Sequence, residues 1–154
     1  MEVVWGGPAG SRLNQRLSRW ASSRIWGRNK TETLPGPNVC MGVMAGADLI
    51  AVMVYHNYDP GAGVIEISGA ATSKRWLTRP VLAEMFRYPF ETAGCQLVVM
   101  RVSADKAQNR LGRMLLAYGF ARVLIPRLRG RDEGEWIYTL TDDAWRSNKF
   151  NEVQ

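Results

Sequence analysis

The sequence predicts a three-layer α/β/α domain built on a mixed, mostly antiparallel sheet. Three apolar, β-branched runs separated by turn residues predict an antiparallel meander. A helical pattern then leads into a strongly apolar run, and a second helical pattern leads into two last strands. A strand–helix–strand connection favours a parallel pair, so the sheet is predicted to be mixed, with helices on both faces.

The N-terminal part begins with a short strand and a basic helix. Residues 1–5 form the strand, and residues 11–26 show helical periodicity. Apolar side chains recur along the helix at i, i+4 and i+7, namely at Leu13, Leu17 and Trp20. A basic row runs beside them, formed by Arg12, Arg16 and Arg19. A turn over residues 35–38 then separates the helix from the meander.

The meander occupies the centre of the chain. Its strands are predicted over 39–45, 49–57 and 64–71. The first separator is Gly-Ala-Asp and the second is Asp-Pro-Gly-Ala-Gly, which are sequences typical of tight turns.

The remaining elements alternate between helix and strand. Pro80 suits the first turn of a helix, and Gly94 and Gly119 suit helix ends. We predict a helix over 81–93, a strand over 97–102, a helix over 107–118, and two strands over 121–126 and 135–141 joined by a loop over 127–134.

Length and composition predict one soluble domain over residues 1–154. Hydrophobic residues make up 46% and charged residues 22% of the chain, as in ordinary globular proteins. No apolar run approaches the ~18 residues of a spanning helix, and the N-terminus lacks a secretory pattern. We therefore expect a cytoplasmic protein without membrane contact.

Composition also excludes several classes of enzyme. The single histidine excludes His-cluster zinc sites and disfavours Ser-His-Asp hydrolases, and we expect no metal. P-loop, GxSxG and HExxH patterns are absent from the sequence. Cys40 and Cys95 are predicted to be buried, reduced thiols, with a disulfide or a nucleophile as the alternatives.

Basic residues are concentrated at the two ends of the chain. The net charge is +6, and sixteen of the twenty cations are arginines. Arginine suits bidentate phosphate contacts, so an anionic partner is indicated: a phosphorylated cofactor, nucleic acid or an acidic protein. A basic solvated surface explains the same charge. The same two interpretations apply to Arg127, Arg129 and Arg131 in the predicted last loop.

The second half of the chain carries an ordered series of motifs. A Val-Ile-Glu-Ile-Ser-Gly strand over 64–69 is followed by a basic loop, a helix and an apolar strand. Asn109 then lies ten residues before the Gly119-Phe120 pair. In this order the motifs resemble the GNAT superfamily of acyl-CoA-dependent N-acyltransferases. Three shorter segments resemble a small phage- and prophage-type branch of it, namely 54–58, 75–76 and 88–90.

The resemblance implies an acetyl-CoA cleft between splayed fourth and fifth strands. Pantetheine would pair with the fourth strand, and pyrophosphate would lie on the following loop at a helix N-terminus. Asn109 would contact the pantetheine or cap its helix. Trp76 could shield the cofactor or stack on a substrate, whereas the other tryptophans are expected to pack in the core and at its rim. The implied cofactor residues are Ile67, Ser68, Gly69, Ala70, Arg75, Trp76, Leu77, Thr78, Arg79 and Asn109.

The phosphate loop departs from the family pattern. The usual glycines let the backbone approach phosphate closely, but the Arg75–Pro80 segment contains none. Direct contacts from Lys74, Arg75 and Arg79 could compensate, or the loop binds CoA weakly or not at all.

Three residues are candidates for proton transfer. Glu66, on the predicted fourth strand, corresponds to a common general base of the family, with an ion pair as the structural alternative. His56 is a rival base or a hydrogen-bonded structural residue, and Tyr55 is expected opposite Glu66. Tyr118 could protonate the leaving thiolate, or it could simply pack.

The resemblance predicts transfer of an acetyl group from acetyl-CoA to a primary amine by direct attack in a ternary complex. The acceptor could be a protein or a small molecule. A phage-type DNA modification protein on the same scaffold is one alternative, and a binding module that has lost CoA is another. Nucleic acid and a second copy of the chain are the further partners considered.

Overall fold

The computed structural model describes residues 1–25 and 36–151. Trp26 and Pro35, which belong to the predicted helix end and turn, lie outside them. The strands within the described residues are β1 Glu2–Trp5, β2 Val39–Ala45, β3 Asp48–Asp59, β4 Val64–Ala71, β5 Leu97–Ser103, β6 Ala121–Gly130 and β7 Glu133–Thr141. The α-helices are α1 Arg12–Ile25, α2 Arg79–Arg87, α3 Asn109–Tyr118 and α4 Asp142–Ser147.

All seven strands join one sheet in the order β1-β2-β3-β4-β5-β7-β6. The β4–β5 pair is parallel and the other five pairs are antiparallel. The chain reaches β5 from β4 through α2, because parallel neighbours need a crossover rather than a tight turn. The predicted mixed, mostly antiparallel sheet is confirmed.

Helices cover the two faces of the sheet. Leu17 and Ala21 of α1 pack on Cys40, Val52 and Val54. Side chains alternate between the faces along each strand, so the neighbours of these strand residues point the other way. There they form the larger core with α2 and α3. The three-layer arrangement is therefore confirmed, and the two surfaces are named here the α1 face and the α2/α3 face.

The parallel β4–β5 pair is short. Residues 64–66 of β4 pair with residues 97–99 of β5, and no pairs follow, although the strands continue to Ala71 and Ser103. The two strands therefore splay apart beyond Glu66 and Val99. This confirms the splay between the fourth and fifth strands.

The buried side of α1 differs from the predicted apolar row. Leu13 is 42% exposed, whereas Leu17 is buried and Trp20 half-buried. The rest of the buried side is formed by small or polar residues, namely Asn14, Ser18, Ala21 and Ser22. Asn14 is buried because its side chain bonds the backbone of β2, accepting from Cys40 N at 2.8 Å and donating to Asn38 O at 2.9 Å.

Two predicted boundaries are wrong. The predicted helix over 81–93 is α2 followed by a π-helical turn over Tyr88–Thr92, where Pro89 lacks the N–H that an α-helix needs. The predicted loop over 127–134 is mostly strand, because β6 runs to Gly130 and β7 begins at Glu133, which leaves only residues 131–132 as the turn. The irregularity of β6 is a bulge in which Arg127 adopts φ +68°.

The two cysteines, Cys40 and Cys95, are free and buried, as predicted. Burial raises the pKa of the Cys40 thiol to about 12. In the part of the chain that the structure describes, no helix combines the length and the apolar character needed to cross a membrane.

Candidate active site

A cleft of about 620 Å³ opens where β4 and β5 splay apart. Its walls come from both faces of the sheet. On the α2/α3 face it is lined by large apolar side chains, among them Met53, Ile67, Met85, Phe86, Met100 and Leu115. On the α1 face it is lined by the end of α1 and by polar residues of β4 and β5. The splay therefore forms a passage through the sheet.

The unpaired part of β4 forms one wall of this passage. Ile67, Ser68, Gly69 and Ala70 all line it. A Cβ on Gly69 would lie 2.5 Å from the Met53 sulfur. Glycine at this position of β4 therefore leaves the space that the Met53 side chain occupies. Beyond Glu66 the edge of β4 that faces β5 has no ladder partner, which leaves backbone groups for an extended, amide-containing ligand.

The loop after β4 has its own hydrogen-bonding pattern. The backbone N–H groups of Arg75, Leu77, Thr78 and Val81 donate to Ser73 Oγ, Lys74 O, Trp76 O and Thr78 Oγ1, respectively. These four amides are therefore engaged within the protein. Trp76 lines the cleft, Leu77 and Thr78 are half-buried, and the side chains of Arg75 and Arg79 are exposed.

Glu66 and His56 meet at the closed end of the splay. They are cross-strand partners on β4 and β3, and His56 Nε2 lies 3.7 Å from Glu66 Oε2. His56 Nε2 also lies 2.8 Å from Ser68 Oγ, and Asn57 Nδ2 donates to Glu66 Oε1 at 3.1 Å. The Glu66 side chain is 17% exposed and that of His56 is 5% exposed. Burial lowers the pKa of His56, and the Glu66 carboxylate offsets this only in part.

Tyr55 does not lie opposite Glu66, contrary to the prediction. Its cross-strand partner is Ile67, because the β3–β4 register places His56 at the Glu66 position. A shift of one residue moves a side chain to the other face of a sheet. The Tyr55 hydroxyl accordingly donates to Met85 O on the α2/α3 face at 2.5 Å.

Known structures share this architecture, although no protein-family model and no curated protein matches the sequence. A candidate GNAT-family acetyltransferase from Desulfovibrio desulfuricans matches with a TM-score of 0.57 and 17% identity, over 68% of this chain and 69% of that chain. The chain has the GNAT fold.

Two more solved structures share the fold of this chain. A spermidine N-acetyltransferase mutant from Vibrio cholerae matches with a TM-score of 0.60 and 10% identity, over 71% of this chain and 69% of that one. A further candidate acetyltransferase matches with a TM-score of 0.62 and 17% identity, over 73% of this chain. The match spans 63% of that protein's length.

Eight predicted site residues do not line the cleft, namely His56, Glu66, Arg75, Leu77, Thr78, Arg79, Asn109 and Tyr118. Tyr118 is buried and stacks on Phe86 with ring centroids 4.9 Å apart. Burial raises the pKa of Tyr118, and the neighbouring polar side chains of Asn148 and Trp145 partly oppose this. Asn109 is the exposed first residue of α3, and its neighbour Gln108 lines the cleft instead.

The GNAT cleft also contains charged residues that were not predicted as site residues. Arg101 of β5 and Arg129 of β6 line its α1-face side. Both bond Glu135 of β7, which is 5% exposed. The sequence contains a signal for this cluster, because Arg101 interrupts an apolar strand and Glu135 begins one. A charge at such a position needs a partner.

Proposed function

We propose that the protein is an N-acetyltransferase that moves an acetyl group from acetyl-CoA to a primary amine. The observation that carries this proposal is the passage at the β4–β5 splay. It is lined from both faces of the sheet, and Glu66, the last β4 residue that pairs with β5, lies beside its closed end. Two substrates can therefore meet there from opposite faces, which is the geometry that direct transfer needs.

The α2/α3 side of the passage suits acetyl-CoA. The apolar wall and the unpaired edge of β4 fit a pantetheine arm, with Ile67–Ala70 as the residues that would hold it. Because four amides of the following loop are already engaged, we assign the phosphates to the exposed side chains of Arg75 and Arg79. Trp76 would cover the arm. Bound acetyl-CoA supplies an activated thioester.

Glu66 is the proposed general base. It is the more exposed member of the His56–Glu66 pair, and a carboxylate there can take a proton from the ammonium directly or through water. The amine nitrogen then attacks the thioester carbonyl, and the C–N bond forms as the C–S bond breaks. The nitrogen loses its second proton as the amide forms; this proton passes through water to the departing CoA thiolate, while Glu66 returns the first proton to solvent. We assign no side chain to the protonation of the thiolate because Tyr118 is buried and stacked on Phe86.

Direct attack is favoured over an acetylated enzyme. Ser68 Oγ and Glu66 Oε2 both approach Nε2 of His56. In a serine nucleophile system the carboxylate holds the other ring nitrogen, so these three residues lack that arrangement. Neither Cys40 nor Cys95 lines the cleft. Mass spectrometry after incubation with acetyl-CoA should accordingly detect no acetyl group on Ser68.

The deciding experiment is a thermal unfolding scan with and without acetyl-CoA, checked by calorimetric titration. Ligand at ~100 times its dissociation constant stabilises a protein by about 2.7 kcal/mol, which shifts the midpoint by several degrees. The double variant Arg75→Met/Arg79→Met should weaken binding, whereas Arg146→Met, an exposed arginine on α4, should not. An unchanged midpoint together with a flat titration would refute the proposal.

A further inference from the structure

The α1-face side of the cleft is cationic. Three arginines line it, namely Arg24, Arg101 and Arg129. Among the described residues that line the cleft, none is acidic, whereas the carboxylates of Glu66 and Glu135 lie beside the lining. The guanidinium of Arg24 lies 3.9 Å from the centre of the Trp20 ring and donates to Trp20 O, which holds it at the end of α1. This side of the passage therefore differs in charge from the apolar α2/α3 side.

Arg101 and Arg129 are fixed in place by one buried carboxylate. Arg101 Nε lies 2.5 Å from Glu135 Oε1, and Arg129 Nη1 lies 3.3 Å from Glu135 Oε2. Glu135 is 6% exposed, whereas the two arginines are 46% and 35% exposed. Arg129 also contacts the exposed Glu133 at 3.5 Å. Arg101 uses only Nε in this cluster, so its terminal nitrogens have no bonding partner among the described residues.

The arrangement suits binding more than stability. A buried carboxylate between two half-exposed guanidinium groups fixes their positions and leaves donor groups facing the cleft. The buried carboxylate of Glu135 needs a charged partner, but one arginine would supply it, so the stability of the carboxylate does not by itself require the second arginine. An anion bound at the cleft would satisfy the remaining donors.

The position of Arg101 relates this cluster to the proposed base. Val99 is the cross-strand partner of Glu66, and Arg101 follows it by two residues on the same face of β5. Two residues of strand correspond to a rise of roughly 7 Å. Val98 and Met100 point to the opposite face, where the cofactor is proposed to lie. The arginines therefore face the proposed acceptor side.

We infer that the acceptor of the proposed transfer is a primary amine that carries a carboxylate or phosphate group, bound by Arg101 and Arg129 while the amine reaches Glu66. This inference rests on the proposed function and names the substrate class of the same site. The guanidinium groups that line this side offer hydrogen-bond donors and no acceptors, so they favour an anionic group over the second ammonium of a diamine or polyamine. In this respect the acceptor would differ from spermidine, which the Vibrio cholerae neighbour is named for.

The test compares amines of equal length with different distal groups: 5-aminopentanoate, 4-aminobutylphosphonate, pentylamine and 1,5-diaminopentane. Their kcat/KM values are measured at saturating acetyl-CoA. Charged hydrogen bonds to arginine should raise kcat/KM of an acidic amine by about tenfold or more over pentylamine, and the diamine should be poorest. The carboxylate and phosphonate compounds distinguish the two anionic groups.

Arginine variants test which side chains produce the preference for an acidic amine. Arg101→Met and Arg129→Met should each reduce the ratio of kcat/KM for the acidic amine to that for pentylamine, by raising the KM of the acidic amine. Arg146→Met, remote from the cleft, should keep the wild-type preference. Equal kcat/KM for all the amines, or a preference for the diamine, would overturn the inference even if the acetyltransferase activity is present.

Binding provides a readout that does not depend on turnover. Calorimetric titration of 5-aminopentanoate and 1,5-diaminopentane into the protein, with and without CoA, should show binding of the acid that Arg101→Met weakens. If the protein does not bind acetyl-CoA, the proposed function fails, while acid binding that depends on Arg101 would still support the anion site. Absence of acid binding at millimolar concentration would overturn the inference.

Discussion

The two faces of the sheet differ sharply at the cleft. On the α2/α3 face the strands present large apolar side chains that pack against two helices, and aromatic rings such as Phe86 and Tyr118 stack at 4.9 Å. On the α1 face the same strands present His56, Glu66 and Arg101. Because neighbouring residues of a strand point to opposite faces, one stretch of chain serves both surfaces. Substitutions on the two faces should therefore have separable effects.

The largest effect is expected on the apolar face. Phe86 is 1% exposed and contacts Tyr118 and Phe120 through its ring. Phe86→Ala should lower the free energy of unfolding by about 3–5 kcal/mol, because it removes buried surface and leaves a cavity. Denaturant titration measures this, and Phe86→Leu, which keeps more of the volume, should lose less. If Phe86→Ala lowers the free energy of unfolding no more than a substitution at an exposed position does, the expected difference between the two faces is contradicted.

A substitution of Glu66 should reduce activity strongly and change stability little, the reverse of what is expected for Phe86. Glu66→Gln keeps the shape and removes the basic group, so kcat should fall by about 10²-fold or more. The free energy of unfolding should change by less than about 1 kcal/mol, since the side chain is only partly buried and its ion pair is weak. Steady-state kinetics and denaturant titration on the same preparation separate the two. Unchanged kcat would transfer the role of base to His56 or to no residue at all.

The smallest effect concerns the pH dependence of stability. The pKa of His56 is lowered in the folded protein, chiefly by burial, so the unfolded chain binds more protons at mildly acidic pH. The stability due to neutral His56 is therefore complete above the unfolded value of about 6.5 and decreases as the pH falls below it. Chemical denaturation between pH 5 and 8 measures this slope.

His56→Asn is the control for that slope. It removes the titrating group while keeping a polar side chain near Ser68, so it should flatten the stability profile at mildly acidic pH. If the variant and the wild type lose stability in parallel, the slope arises from other groups.

The order of the elements was predictable because its signals are local. The turn sequences of the meander, Pro80 and Gly119 all mark boundaries through their own backbone preferences. The buried side of α1 was not predictable from apolar spacing, since Asn14 is buried through bonds to residues more than twenty positions away. The strand continues through Arg127 because β6 pairs with β7 on both sides of the bulge, which the charged and glycine residues of this segment did not indicate.

The site was predictable only in part. Ile67–Ala70 were named from the order of the motifs and line the cleft, whereas Glu66, named in the same way, lies at the last β4–β5 pair beside it. Arg101, Arg129 and Glu135 lie on three different strands, and only their pairing brings them together. The chemical roles of all these residues, and the branch of the superfamily, stay predictions.

The short β4–β5 contact also determines how the sheet deforms. Seven residue pairs join β3 to β4 and seven join β5 to β7, but only three join β4 to β5. Strands β1–β4 and strands β5–β7 therefore form two parts of the sheet that are joined by only these three residue pairs. A twist of one part against the other breaks fewer ladder hydrogen bonds than separating β3 from β4 or β5 from β7. Such a twist would change the width of the passage directly.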